Sequence, residues 1–161
     1  MAWNPPITWA PGLVTSAQLN ANVRDNTGEI WREVYYSSQT STVNVTATSA
    51  ATAQSIVGGG TATYTAVPVM VEFFAPSIDI GTTNIQLSIW YDSTDLGVVV
   101  IRTGSGRMSS YGSIRHTPTA GSHTYTGKAF VDAGTGHVYA NAGGAGNDAP
   151  AYLRVMQKGT T

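Results

Sequence analysis

Cysteine is absent from the 161 residues, which excludes disulfide scaffolds, thiolate metal centres and thiol nucleophiles together. Charge is scarce too: 11% of residues are Asp, Glu, Lys or Arg, against about 25% in an average soluble domain. Eight basic and nine acidic side chains leave a net charge of −1 with no run of either sign, so a nucleic acid or an anionic membrane surface finds nothing to grip. No window approaches the roughly 20 apolar residues of a membrane span, and Met1-Ala2-Trp3-Asn4-Pro5-Pro6 lacks the basic-then-apolar order of a secretory leader. The expectation is a soluble protein.

What the chain has instead is 22 threonines, 14 serines and 18 glycines. Small β-branched hydroxyls suit a pleated surface and glycines suit tight turns, so the composition points to an all-β domain rather than a helical bundle or a doubly wound sheet. At this length one domain with a short appendage is expected.

The appendage is legible first. Pro5, Pro6 and Pro11 keep the opening residues out of any sheet interior or helix, while Trp3 and Trp9 each carry on the order of 150–250 Å² of surface that is costly to leave in water. We read this stretch as an extended docking arm with Trp3 and Trp9 as its anchors. Thr15-Ser16-Ala17-Gln18 then forms a capping box, flanked by Val14 and Leu19 as a hydrophobic staple. Leu19, Val23, Ile30 and Val34 follow as a narrow apolar stripe with Asn26 in its line, which predicts a short α-helix. Gly28 marks where it weakens.

From Tyr35 the period changes to two. Val43 and Val45, then Val69, Val71 and Phe73, then Ile85, Leu87, Ile89 and Tyr91 each share one face of a half-buried strand. Further strands are expected at 96–102, 108–115, 122–131, 137–142 and 152–157, separated by Gly104-Ser105-Gly106, Pro118, Gly134-Thr135-Gly136 and Gly143-Gly144. About eight or nine short strands make a β-sandwich or jelly roll. The division is therefore 1–34 for arm and helix and 35–161 for the β domain.

Chemistry is hard to find. His116, His123 and His137 fall on three separate strands with no second ligand at metal-binding spacing, and read as sheet-face histidines. Glu72 and Asp79 are the only mid-sheet acids that might pair as glycosidase carboxylates, and Asp92-Ser93-Thr94-Asp95 reads as a hairpin turn rather than a calcium loop. Ser105 lies in no nucleophile elbow, and Gly104 and Gly106 precede no helix that would make them a phosphate loop. No cofactor is implied.

The run Trp9-Ala10-Pro11-Gly12-Leu13-Val14-Thr15-Ser16-Ala17-Gln18-Leu19-Asn20-Ala21-Asn22-Val23-Arg24-Asp25-Asn26 resembles the opening of many small structural proteins of tailed bacteriophages. The segments at 68–76, 87–92 with Leu96-Gly97, and 120–125 are similar to the strands that follow in such proteins. The resemblance implies a jelly roll of the trimeric kind found in tumour-necrosis-factor-like and C1q-like modules. It also implies a homotrimer in which Leu19, Val23 and Ile30 turn inward on a threefold axis and Asn26 sets the register. The function it implies is non-enzymatic: a capsid decoration or head-fibre protein of the virion, assembled in the bacterial cytoplasm and bound to the major capsid protein or other virion components. The alternative it leaves open is a tail-associated fibre or receptor-binding protein that stacks Trp90, Tyr91, Tyr111 or Tyr139 on host glycans. Neither reading needs nucleic acid or a membrane as partner.

Overall fold

A computed structural model describes residues 30–80, 84–104 and 106–159. Among these the chain forms ten strands: β1 (Trp31–Gln39), β2 (Val43–Val45), β3 (Gln54–Thr65), β4 (Val69–Asp79), β5 (Ile85–Tyr91), β6 (Thr94–Arg102), β7 (Met108–His116), β8 (Ala120–Val131), β9 (Gly136–Tyr139) and β10 (Ala151–Lys158). They make two antiparallel sheets. Sheet A runs β1-β10-β4-β9-β2, with β7 also paired to β4; sheet B runs β3-β8-β5-β6. Ile78 has Met108 on one side and Val138 on the other, so β9 prolongs the line of β10 along one flank of β4 while β7 takes the opposite flank.

The alternation read from the sequence is what closes the sandwich. Val69, Val71, Phe73 and Ala75 of β4 point inward, as do Ile85, Leu87 and Ile89 of β5, and all are fully buried. Gly127 of β8 makes room for the Phe73 ring: a Cβ there would lie 2.9 Å from the ring. The hairpin joining β5 and β6 turns at Asp92 and Ser93 as the sequence implies, with Asp92 in the left-handed region (φ +51) that aspartate tolerates better than most side chains.

Two expectations need correction. Ile30 and Val34, taken as the end of a helical stripe, are extended. Val34 belongs to β1, and Ile30 sits just before it with its carbonyl accepting the Gly159 N–H at 2.9 Å. The register of β1 on β10 slips between Glu33 and Tyr35. A spacing of four fits a helix face and a twofold strand period alike, so Ile30 and Val34 alone do not separate the two, and the bulge breaks the alternation over 31–35 that would have. Sheet residues thus begin at Trp31 and not at 35, and the only helical turn among the described residues is the 3-10 turn Ala50–Thr52. The second correction is β3, which no sequence pattern announced. Gly58, Gly59 and Gly60 interrupt its alternation where its register on β8 slips. Gly60 donates its N–H to the Tyr35 hydroxyl at 2.8 Å, and a Cβ on it would lie 2.6 Å from that oxygen. Gly60 is there because Tyr35 crosses from sheet A to sheet B at this point, whereas Gly58 takes φ +97 with the Tyr125 carbonyl 2.6 Å from where its Cβ would be.

Trp3, Trp9, the capping box, Leu19, Val23 and Asn26 lie outside the described residues.

Candidate functional site

The outward face of sheet A carries side chains that a solvated sheet would not choose. Register places Tyr152 of β10 opposite Phe74 of β4, and Phe74 opposite Tyr111 of β7; Tyr36 of β1 lies diagonal to Tyr152. The Tyr36 and Tyr152 rings stack at 5.8 Å and 26°, and those of Tyr152 and Phe74 at 5.2 Å and 29°. Rings stacked in this way across neighbouring strands cover one another's faces and turn their edges to water. The two ends of the row, Tyr36 and Tyr111, are 50% and 52% exposed. Met70 and Met156, paired with each other, extend the apolar strip toward Trp31.

One ion pair is set into this face. Arg154 of β10 meets Glu72 of β4 at 2.6 Å, and Tyr111 donates its hydroxyl to the other Glu72 oxygen at 2.9 Å. The hydrogen bond to Glu72 holds the Arg154 guanidinium above its ordinary range, and burial, then the bond to Glu72, raises the Tyr111 phenol. The Glu72 carboxylate, weighed from sequence with Asp79 as a glycosidase pair and set aside, is engaged here by Arg154 and Tyr111. Asp79 lies on the same strand, paired with His137, and does not face Glu72 across a groove.

The opposite surface treats its aromatic residue differently. On sheet B, Lys128 lies with Nζ 3.7 Å above the centre of the Trp90 ring, and Trp90 Nε1 donates to Ser88 Oγ at 3.0 Å. Trp90 is thus capped by its own chain. Tyr139 is similarly enclosed, stacked on His137 at 5.5 Å with the Arg107 guanidinium 3.7 Å from its ring centre. Of the aromatic residues singled out as glycan contacts, Tyr111 alone is among the exposed large side chains.

Two of the three histidines meet, at the end of the sandwich where β1 begins and β10 ends. The rings of His116 and His123 lie 4.6 and 4.8 Å from that of Tyr91. His116 Nδ1 is 2.6 Å from the Tyr125 hydroxyl, and His123 Nδ1 is 2.8 Å from Asp92. His123 Nε2 is 2.9 Å from the Thr119 hydroxyl, which is itself 3.2 Å from that of Tyr91. Asp92, His123 and Thr119 line up as carboxylate, imidazole and hydroxyl, the order of a hydrolytic triad. Here the chain of bonds runs on from Thr119 back to Tyr91 of the same cluster, which makes it a brace. His137 is at the far end of β4. Among the described residues no group of three histidine or acidic side chains is placed to hold a metal ion, and no helix is long and apolar enough to cross a membrane.

The missed residues of the face, Tyr36, Phe74 and Tyr152, left a signal. Phe74 and Tyr152 occupy outward positions of strands whose inward positions are already apolar, where alternation calls for polar side chains.

No family model matches this sequence, and no curated protein matches it. Among solved structures, the N-terminal CBM22-1 and GH10 modules of an endo-1,4-beta-D-xylanase 10B of Clostridium thermocellum, complexed with xylohexaose, are similar over 84% of this chain and 27% of theirs. Identity is 14% and the TM-score 0.37.

Proposed function

We propose that this chain is a non-enzymatic structural protein of a tailed-bacteriophage virion, a homotrimeric decoration or head-fibre protein held on the capsid exterior by its N-terminal arm. The single observation that carries the association is the edge-on aromatic ladder of sheet A. Flat stacking on a sugar needs free ring faces, and Tyr152, at the middle of the row, is stacked by both Tyr36 and Phe74; ring edges and methionines in a row suit interdigitation with another protein surface. The face also mixes both signs, Glu33 and Glu72 with Arg115, Arg154 and Lys158 leaving one positive charge in excess, so a second copy meets little repulsion.

Jelly-roll topology supports the reading. Setting aside the short β2 and β9, the strands order as β1-β10-β4-β7 facing β3-β8-β5-β6, two interlocked Greek keys. The placement on a virion rests on the resemblance of 9–26. Trp3 and Trp9 would seat the arm on the major capsid protein, and Leu19, Val23 and Asn26 would align three copies; Ile30, extended against Gly159, leaves that set. Binding to the assembled lattice alone would stabilise the lattice by mass action.

Gold-labelled antibody on purified particles tests the proposal. Label spread over heads is expected. Label confined to tail tips would overturn the head placement in favour of a fibre contacting host glycans through Tyr111, and particles without label would overturn the virion reading.

A further inference from the structure

The cluster of His116, His123, Tyr91, Tyr125 and Asp92 does more than fill the end of the sandwich: β5 and β8 are already paired in sheet B, and the cluster ties to them the β5–β6 turn and the end of β7, a strand of sheet A. Asp92 is the turn between β5 and β6, His116 is the last residue of β7, Thr119 lies in the following loop, and His123 and Tyr125 are on β8. Asp92 and Thr124 are joined twice: the Asp92 N–H donates to the Thr124 carbonyl at 2.8 Å, and the Thr124 N–H donates to the Asp92 side-chain carboxylate at 2.9 Å. This end of the sandwich is also where the described chain enters at Ile30 and leaves at Gly159, and where Lys158 donates its N–H to Pro68 at 3.1 Å.

We propose that this cluster is a proton-sensitive clasp: it fastens the β5–β6 hairpin and the loop after β7 to β8 near neutral pH, and lets them go when His116 takes up a proton. The proposal goes beyond the virion reading and does not depend on it; only a consequence for attachment at this end of the sandwich would.

With the His116 proton on Nε2, the buried Tyr125 hydroxyl donates to His116 Nδ1, and that bond requires a neutral imidazole. Groups facing the pair from each packed element are Tyr64 of β3, Tyr91 of β5, Asp92 of the hairpin, and His123 and Tyr125 of β8. Asp92 is the acid among them and it is already engaged by His123. A proton on His116 finds burial and then the charge of His123 against it, which is why His116 is held below the ordinary histidine range. Once bound, that proton removes the acceptor of Tyr125 and leaves a charge beside the Tyr91 ring with the Asp92 carboxylate already engaged by His123 and Thr124. Tyr64, whose buried hydroxyl has no partner, lies edge-on to Tyr125 at 5.4 Å and shares the loss.

Hydrogen exchange on the full chain tests this at about pH 8 and about pH 5, with rates corrected for intrinsic exchange. The expected result is a fall of about tenfold in protection of the Asp92 and Thr124 amides at the lower pH, with little change at β4. His116→Gln keeps an acceptor for Tyr125 but cannot protonate, and is expected to abolish the fall. Unchanged protection in the unsubstituted chain, or an undiminished fall in His116→Gln, would overturn the clasp. If that variant does not fold, the His116 imidazole resonance of the unsubstituted chain decides: titration below the ordinary value of 6.5 is expected, and titration at or above it overturns the proposal.

Discussion

The outer faces of the two sheets each hold aromatic side chains and treat them in opposite ways. On sheet B, Trp90 is half-buried, with one ring face covered by Lys128 and its one polar atom satisfied by Ser88. On sheet A, Tyr36, Tyr152 and Phe74 stack only on each other, and half of Tyr36 and of Tyr111 remains in water. An aromatic ring whose surroundings are finished belongs to the fold, and a row whose surroundings are unfinished is a surface kept for another molecule.

The largest expected effect is one that both faces share. Phe73 lies beneath them, fully buried against Gly127, so Phe73→Ala should cost about 3–5 kcal/mol in denaturant unfolding and lower association only through loss of folded protein. Trp90→Ser should cost about 2 kcal/mol, from lost burial and the lost lysine contact, and leave the mass in light scattering unchanged. Tyr36→Ser with Tyr111→Ser reverses that pattern, with about 1 kcal/mol or less lost per ring in the monomer and a shift toward lower mass. An unchanged mass in the double variant, or a lower one in Trp90→Ser, would break the comparison. Asp92→Asn should be the mildest near neutral pH, within about 0.5 kcal/mol, because the carboxylate is exposed.

The sign of the pH dependence follows from the same cluster. The Thr124 N–H, and then His123, hold the Asp92 carboxyl below its ordinary value of 3.8, so its contribution is present above that pH and is lost as pH falls further. For His116, depressed from 6.5, the unfolded chain takes up the proton first, and stability declines as pH drops from 6.5 toward the folded value. Acid unfolding should therefore begin in the histidine range and steepen in the carboxylate range, the second limb flattening in Asp92→Asn.

Most strands were legible because burial on one face imposes a twofold period, and Val69, Val71 and Phe73 or Ile85, Leu87 and Ile89 show it undisturbed. The period fails as a guide where a bulge shifts its phase, as at Glu33 to Tyr35, or where another strand's side chain dictates a glycine, as Tyr35 does at Gly60. Each is a contact between residues far apart in the chain and leaves no mark in local spacing. The site was less legible for a related reason. Glu72 looked like a lone acid until pairing set Arg154 beside it, and His116 and His123 looked separate because the turn that brings them to Tyr91 and Asp92 belongs to a different hairpin.

The position of β10 has a further consequence. It lies between β1 and β4, so β1 finds its hydrogen-bonded neighbour only once Ala151–Lys158 has left the ribosome. Every earlier nascent chain exposes two unzipped strands, and closure by so distant a segment is slow. Premature termination upstream of Ala151 should leave β1 without its neighbour and one flank of β4 unpaired, and such fragments should be degraded rather than accumulate.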